Sequence, residues 1–162
     1  DKLHVTEYDM THLHEDQFIR VSKAIPKKQA INLTNAKFLL IGGNGMKNKA
    51  DTQYLKKIAD TIGADFGVSR PIAMSGWAPL HRQVGVSGSM TKADSCIVAG
   101  ASGAAAFYAG IEKSKFIVAI NTDIRAPINK VSDVIIIDDY KAVLDELVKV
   151  MKESKRNLHE TV

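Results

Sequence analysis

The chain has 162 residues, of which 45% are hydrophobic and 25% are charged, and its formal net charge is +4. This composition suits one globular domain and excludes a disordered or membrane-inserted chain, since no apolar run approaches the length that crosses a bilayer. The lysines are spread along the chain, which argues against a nucleic-acid partner. The single cysteine, Cys96, lies in an apolar run, so we expect a buried strand residue and a reducing compartment.

The first part of the chain, 1–35, is mostly polar and shows no sustained helical or strand period. This pattern predicts a linker, or an edge strand followed by a linker. His12 and His14 stand at alternate positions there, but no third ligand is near, which favours a polar tail over a metal site. A change of pattern marks the start of the predicted domain, 36–155, and a short C-terminal tail, 156–162, follows it.

Short apolar runs alternate with amphipathic segments throughout the predicted domain. The first run, Phe38–Ile41, leads into a glycine-rich turn, and a helix is predicted from Asp51 to Gly63. Four further buried strands are predicted, at Asp65–Val68, Cys96–Ala99, Phe116–Ile120 and Val134–Ile137. Two more helices are predicted, one of small residues through Ala104–Phe107 and a last one with the apolar stripe Val143, Leu144, Leu147, Val148 and Met151.

This alternation predicts a doubly wound α/β fold. Strands that are apolar throughout require helices on both faces of a mostly parallel sheet. Ligands of such folds bind at the carboxyl ends of the strands. The residues that follow each strand are therefore the candidates for function.

Two glycine- and serine-rich turns are candidate phosphate sites. The segment Gln83–Ser89 has two glycines and two hydroxyl side chains, which let the backbone approach an anion and donate amide hydrogens to it. It matches neither a Walker loop nor a dinucleotide fingerprint, and a structural turn explains it equally well. Ser102 and Gly103 precede a helix start that favours a phosphate, although Ser102 can equally be an N-cap. Together the turns indicate a nucleotide ligand.

Polar side chains follow other strands. Arg70, between Ser69 and Pro71, can pair with a phosphate or lie over an aromatic ring, although a surface ion pair is the simpler interpretation. Asn121 and Asp139 stand near strand ends, where they can bind sugar hydroxyls or an adenine edge, or cap turns. The predicted domain has no evident Ser-His-Asp, Cys-His or metal-ligand arrangement, which favours a nucleotide binder over a hydrolase.

These segments, in this order, resemble the carboxyl-terminal domain of the electron transfer flavoprotein alpha subunit. The resemblance covers about 36–147, and the motifs at the family's spacing are Gly42-Gly43-Asn44-Gly45, Ser69-Arg70-Pro71, Gly76-Trp77, Gln83-Val84-Gly85, Ser102-Gly103-Ala104, Asn121-Thr122-Asp123 and Ala126-Pro127-Ile128. It implies an NAD/FAD-binding-like domain that holds FAD in a bent form. The cofactor-binding residues that it implies are Ser69, Arg70, Gln83, Val84, Gly85, Ser87, Gly88, Ser102, Gly103, Asn121 and Asp139.

The resemblance also implies a role for several of these side chains. Arg70 is expected against the isoalloxazine ring, and Ser69 near the flavin or the phosphates. Ser87 replaces the family's usual threonine and keeps its hydroxyl for the flavin ring. The AMP half is expected near Asn121 and Asp139.

Two positions depart from the family's pattern. Asn44 stands where the family usually has an arginine, and Phe107 where many members have a histidine that bonds the flavin carbonyl. Loss of that donor weakens the stabilisation of negative charge on a reduced flavin. The departures therefore bear on redox tuning more than on nucleotide binding.

The function that the resemblance implies is electron transfer, by an electron carrier rather than an enzyme with its own substrate. FAD would take electrons from an acyl-CoA or other flavin dehydrogenase, in a heterodimer with a beta subunit. The expected location is the cytoplasm of a bacterium or the mitochondrial matrix of a eukaryote. One alternative is a non-redox nucleotide-binding module for AMP, ADP or NAD, which Asn44 and Phe107 favour. Another is a structural scaffold for a partner subunit.

Overall fold

The computed structural model describes residues 33–159. His12, His14 and most of the predicted linker segment, 1–35, lie outside the described residues. Within them, the strands and α-helices are β1 (Phe38–Gly42), α1 (Lys49–Ile62), β2 (Asp65–Val68), α2 (Arg70–Met74), β3 (Ser95–Ala99), α3 (Ala105–Tyr108), β4 (Ile117–Ile120), β5 (Val134–Ile136) and α4 (Tyr140–His159). Short 3-10 helices lie at Leu33–Asn35, Leu80–Arg82 and Pro127–Val131.

The five strands form one sheet in the order β2-β1-β3-β4-β5. Every neighbouring pair is parallel, and Leu40 of β1 pairs with Phe66 on one side and Ile97 on the other. After β1 the chain adds β2 on one side of the sheet. It then crosses to the other side of β1 and adds β3, β4 and β5 in turn. The topological switch point therefore lies between β1 and β3, where doubly wound folds bind their ligands. The predicted fold class is confirmed.

Alternate residues of β1, β3 and β4 enter two hydrophobic clusters, one on each face of the sheet. On the first face, Leu40 and Ile97 pack with residues of α1, α2 and α4, including Leu55 and Leu144. The second face is covered differently, by Phe107 of the one-turn helix α3 and by the segments before β1 and after β4. The first face thus carries the long helices, and the second carries short elements that leave room at the carboxyl ends of the strands.

The structure corrects the expectation for β5. Its apolar run predicts a buried strand, but β5 is the edge of the sheet, and Val134 and Ile135 are 39% and 48% exposed. The reason is that an apolar run does not distinguish a strand with two neighbours from one with a single neighbour. Cys96, in contrast, is fully buried in β3, as predicted.

The ends of the elements also differ from the expectations. Helix α1 begins at Lys49, two residues before Asp51, because the Asn48 side chain accepts a hydrogen bond from the Asp51 amide and caps the helix. Leu33 is fully buried although it precedes the predicted domain boundary, and α4 continues to His159, past the other boundary.

An ion pair joins α1 to the start of α4. The Lys141 ammonium lies 2.6 Å from a carboxylate oxygen of buried Asp51, and the Lys47 amide donates to the other oxygen at 2.9 Å. The hydrogen bond from Lys141 holds the pKa of the Asp51 carboxyl below its ordinary value. Asp51 therefore anchors both α4 and the loop that follows β1.

Candidate functional site

A cavity of about 240 Å³ opens at the carboxyl ends of the strands, beside the switch point between β1 and β3. Four segments form its walls: the loop after β1, the start of α2, the turn before β3, and the loop from β3 into α3. Its lining residues are Asn44, Ser69, Arg70, Pro71, Val84, Gly85, Ser87, Ala101, Ser102, Gly103, Ala104, Ala106 and Phe107. The cavity brings together seven of the eleven predicted site residues: Ser69, Arg70, Val84, Gly85, Ser87, Ser102 and Gly103.

Ser69 is the most informative polar residue of the lining. Its amide donates to the Gly42 carbonyl at 2.8 Å, which fixes the turn from β2 into α2. It stands at the N-cap position of α2, but its side chain makes no capping hydrogen bond. The Ser69 hydroxyl is buried and has no hydrogen-bond partner among the described residues. A buried hydroxyl without a partner is costly, so this one is suited to bind a ligand in the cavity.

Arg70 is the charged side chain of the cavity lining. It is exposed and takes part in no ion pair or hydrogen bond with the described part of the chain. The surface ion pair left open by the sequence is therefore absent from these residues. The planar guanidinium is free to bind a phosphate or the face of an aromatic ring.

The loop from β3 into α3 presents backbone donors to the cavity. The amides of Ser102, Gly103 and Ala104 have no acceptor within the described residues. The N-cap of α3 is Ala104, so Ser102 is not the cap that the sequence left as an alternative. The Ser102 carbonyl instead accepts from the Ile128 amide at 2.9 Å, which ties this loop to the segment after β4. Free amides beside a cavity favour an anionic group.

Several backbone amides of the turn before β3 bond to carbonyls of the chain itself. The amides of Gly85 and Gly88 donate to carbonyls within the turn, and the Val86 amide donates to the Ala106 carbonyl. These donors already have acceptors, which agrees with the structural turn that the sequence left open, and binding of an anion by this turn stays a prediction. The Ser87 side chain, which lines the cavity, is the group that this turn offers.

Gln83 and Gly88 belong to this turn but are not among the residues that line the cavity. The Gln83 side chain is buried and donates from Nε2 to the Ser87 hydroxyl oxygen at 2.8 Å. A Cβ atom on Gly88 would overlap the Gln83 carbonyl, so only glycine fits that close approach. Direct contact of either residue with a cofactor stays a prediction.

Asn121 and Asp139 also lie outside the cavity lining, and both cap turns. Asn121 donates from Nδ2 to the Ala101 carbonyl at 2.9 Å and accepts from the Asp123 amide at 3.0 Å. Asp139 accepts from the Lys141 amide at 2.8 Å at the start of α4. Asn121 thus supports a cavity residue from behind. Contact of these two side chains with an AMP group stays a prediction.

Sequence reasoning missed the apolar part of the lining. Pro71, Ala101 and Ala106 carry no chemical signal of their own, and the only clue was their position after a strand. Phe107 is 8% exposed and contributes an aromatic wall. Trp77 packs against the core and is not among the residues that line the cavity.

Residues 33–159 offer neither a metal-binding cluster nor a membrane span. This part of the chain contains no group of three or more His, Cys, Asp or Glu side chains that could hold a metal ion. None of its helices is both long enough and apolar enough to cross a membrane.

The fold and the cavity together define a nucleotide-binding α/β domain. The family model described as the electron transfer flavoprotein FAD-binding domain matches residues 32–112, half of the chain. The chain belongs to this family, and its cofactor is FAD, as the sequence predicted.

Curated relatives agree with this assignment. YgcQ of Escherichia coli (strain K12) is 42% identical over 72% of this chain and 40% of that protein. Protein FixB of Rhizobium meliloti (strain 1021) is 39% identical over 81% of this chain and 38% of that protein. The mitochondrial electron transfer flavoprotein subunit alpha of Dictyostelium discoideum is 38% identical over 83% of this chain and 38% of that protein. The chain spans about two fifths of the length of these relatives.

Proposed function

We propose that this chain is the FAD-holding domain of an electron transfer flavoprotein alpha subunit. In that role it carries electrons from a flavin dehydrogenase to a downstream acceptor, together with a beta subunit. One observation carries the proposal: in a chain of the FAD-binding family, an unpartnered buried hydroxyl, Ser69, lines a cavity at the topological switch point. A bacterial cytoplasm or a mitochondrial matrix is the proposed location.

The residues of the cavity fit FAD by their chemistry. The free amides of Ser102 and Gly103 supply neutral donors for a phosphate, and Arg70 supplies a positive charge. The hydroxyls of Ser69 and Ser87 supply further hydrogen-bonding groups to the cavity. Bound FAD would supply the reversible uptake of electrons, which no side chain of the lining provides.

The small volume of the cavity supports the participation of a partner chain in FAD binding. Pockets that enclose a drug-sized ligand have volumes of roughly 300–1,000 Å³. This cavity, at about 240 Å³, holds only part of a dinucleotide such as FAD. The rest of the cofactor would extend over the loops at the carboxyl edge of the sheet, where a beta subunit can cover it.

The charge of the lining supports a specific role for Arg70. Asn44 and Phe107 bring no charge to the cavity, and Arg70 is the charged residue of the lining. Positive charge near a ring that gains electrons stabilises the added negative charge. Arg70 therefore carries most of that stabilisation from this chain.

FAD uptake tests the proposal. The chain is mixed with FAD, alone and with a beta subunit, and bound flavin is read from the visible spectrum after gel filtration. Ser69→Ala and Arg70→Ala should each weaken binding, whereas Arg125→Ala removes the same charge at a residue outside the lining and should not. Failure to take up FAD even with a beta subunit contradicts the proposal, and uptake of AMP, ADP or NAD in its place supports a non-redox module.

Electron transfer needs a separate measurement. A reduced flavin dehydrogenase is added to the FAD-loaded complex under anaerobic conditions, and the loss of visible flavin absorbance is followed. Bleaching followed by recovery on addition of an acceptor supports electron carriage. FAD that stays oxidised with every flavin dehydrogenase tried contradicts it while leaving FAD binding intact.

A further inference from the structure

The buried side chain of Gln83 is hydrogen-bonded to a cavity residue. Gln83 is 5% exposed and is not among the cavity-lining residues, whereas Ser87 is exposed and lines the cavity. The Gln83 Nε2 atom donates to the Ser87 hydroxyl oxygen over 2.8 Å. The hydrogen bond therefore joins the buried side chain of Gln83 to a side chain that lines the cavity.

The backbone holds Gln83 rigidly. Its amide donates to the Leu80 carbonyl at 3.0 Å, and its carbonyl accepts from the Ser89 amide at 2.7 Å. It also forms a β-bridge with Val68, the last residue of β2, and Gly88 packs against its carbonyl. Because Gln83 is also buried, its side chain has already lost much of its rotamer freedom in the folded chain, and the hydrogen bond adds little to that cost.

The hydrogen bond fixes the direction of the Ser87 hydroxyl. An amide NH₂ group donates only, and a serine hydroxyl has one proton and two lone pairs. Because Gln83 Nε2 occupies one lone pair of the Ser87 oxygen, the Ser87 proton points elsewhere. Within the described residues, the Ser87 hydroxyl donates to no acceptor, and the cavity is the space beside it.

We propose that Gln83 is a positioning residue that makes Ser87 a hydrogen-bond donor to the bound flavin ring, an inference that rests on the proposed FAD site. In this role Gln83 acts through Ser87 and needs no contact of its own with the cofactor. Ligands with an unprotonated ring nitrogen or a carbonyl oxygen facing Ser87 are therefore preferred over ligands that present an N–H there. The selectivity of this wall of the cavity is set by a residue that does not line it.

Gln83→Glu tests the proposal because it reverses the hydrogen bond at nearly constant shape. The ionised carboxylate accepts from Ser87, which turns the Ser87 proton away from the cavity. We expect FAD binding about tenfold weaker at neutral pH, as measured by flavin fluorescence. As the pH falls, the protonated carboxyl donates to Ser87 again, so affinity should recover. The wild-type chain should show no such recovery.

Ser87→Ala supplies the control. In that background, Gln83→Glu should no longer change FAD affinity or its dependence on pH, because the hydroxyl that Gln83 orients is gone. An equal loss in both backgrounds, or no recovery at low pH, overturns the proposal. If Gln83→Glu fails to fold, Gln83→Met replaces it, since methionine keeps the length of the side chain without a donor or a charge. Gln83→Met should weaken FAD binding in the chain that retains Ser87 and should have no effect in the Ser87→Ala variant.

A measurement without FAD separates this inference from the proposed function. In the wild-type chain, the Gln83 side-chain amide protons should exchange slowly with solvent by NMR, and Ser87→Ala should speed that exchange. Unchanged exchange overturns the role of Gln83 whatever the ligand is. A wild-type chain that shows the protected amide but binds no FAD contradicts the proposed function instead.

Discussion

Gly103 provides a sharp test of how the cavity wall is built. This residue has a φ of +84°, and a Cβ atom placed on it would lie 2.5 Å from the Ile128 backbone nitrogen. That nitrogen donates a hydrogen bond of 2.9 Å to the Ser102 carbonyl, so it cannot move without loosening the loop. Gly103→Ala therefore adds two costs, one from the backbone conformation and one from the contact.

The two costs can be estimated separately. A non-glycine residue in the left-handed region costs about 1–2 kcal/mol. Forcing a methyl group against fixed backbone costs a further ~1–3 kcal/mol. We expect Gly103→Ala to lower the free energy of unfolding by about 2–5 kcal/mol.

Gly63 is the matched control, since it has a φ of +75° and a Cβ atom placed on it would meet nothing within 4 Å. Gly63→Ala should show the backbone cost alone, about 1–2 kcal/mol. Urea unfolding is followed by far-UV circular dichroism and by the fluorescence of Trp77, the single tryptophan, which is partly buried against the core. If the two variants lose the same stability, the contact between Gly103 and Ile128 is not the constraint that shapes this loop.

Three side chains outside the cavity lining carry the remaining predictions. Asp51→Asn should lower the free energy of unfolding by about 1.5–3 kcal/mol, because its hydrogen bond from Lys141 is charge-assisted. The pKa of the Asp51 carboxyl is lowered from 3.8 in the folded chain, so its contribution is present above that pH and is lost as pH falls through the lower folded-state value. Urea midpoints measured towards low pH should thus fall less in Asp51→Asn, and parallel curves would contradict the pairing. Burial raises the pKa of the Cys96 thiol to about 12, so a disulfide reagent at mildly alkaline pH should label it only after unfolding. Asn121→Ala leaves the Ala101 carbonyl without its donor and should cost about 1–2 kcal/mol and weaken FAD binding, whereas unchanged stability would favour direct contact of Asn121 with the cofactor.

The strands could be predicted because their apolar runs are short and bounded by glycine or polar residues, and the predicted bounds of β2 match the observed ones. The position of β5 at the edge of the sheet could not be predicted, because an apolar run does not reveal whether a strand pairs with one neighbouring strand or with two. Helix α2 was missed since it spans only five residues, although Pro71 in its first turn was a usable signal.

The residues of the site also fall into those that the sequence could predict and those that it could not. Ser69 and Arg70 could be found from their place after a strand, which the topology converts into a place in the cavity. The glycines of the turn before β3 suit either an anion or internal hydrogen bonds, and the sequence left both open. The amides of Gly85 and Gly88 donate to carbonyls of the turn itself. The Val86 amide donates to the Ala106 carbonyl, which another element brings to it, so this contact could not be predicted from the sequence of the turn.

The departures at Asn44 and Phe107 act on a wall that the backbone already holds in place. The Gly45 amide donates to the Gly100 carbonyl at 2.8 Å, so the loops after β1 and β3 support each other, and Asp51 anchors the first loop through Lys47. None of these contacts uses the side chain at position 44 or 107. A change of side chain there alters the charge and hydrogen bonding that face the cavity, while the loops that form its wall keep their course. We therefore expect substitutions at positions 44 and 107 to change redox tuning more than the backbone geometry of the cavity.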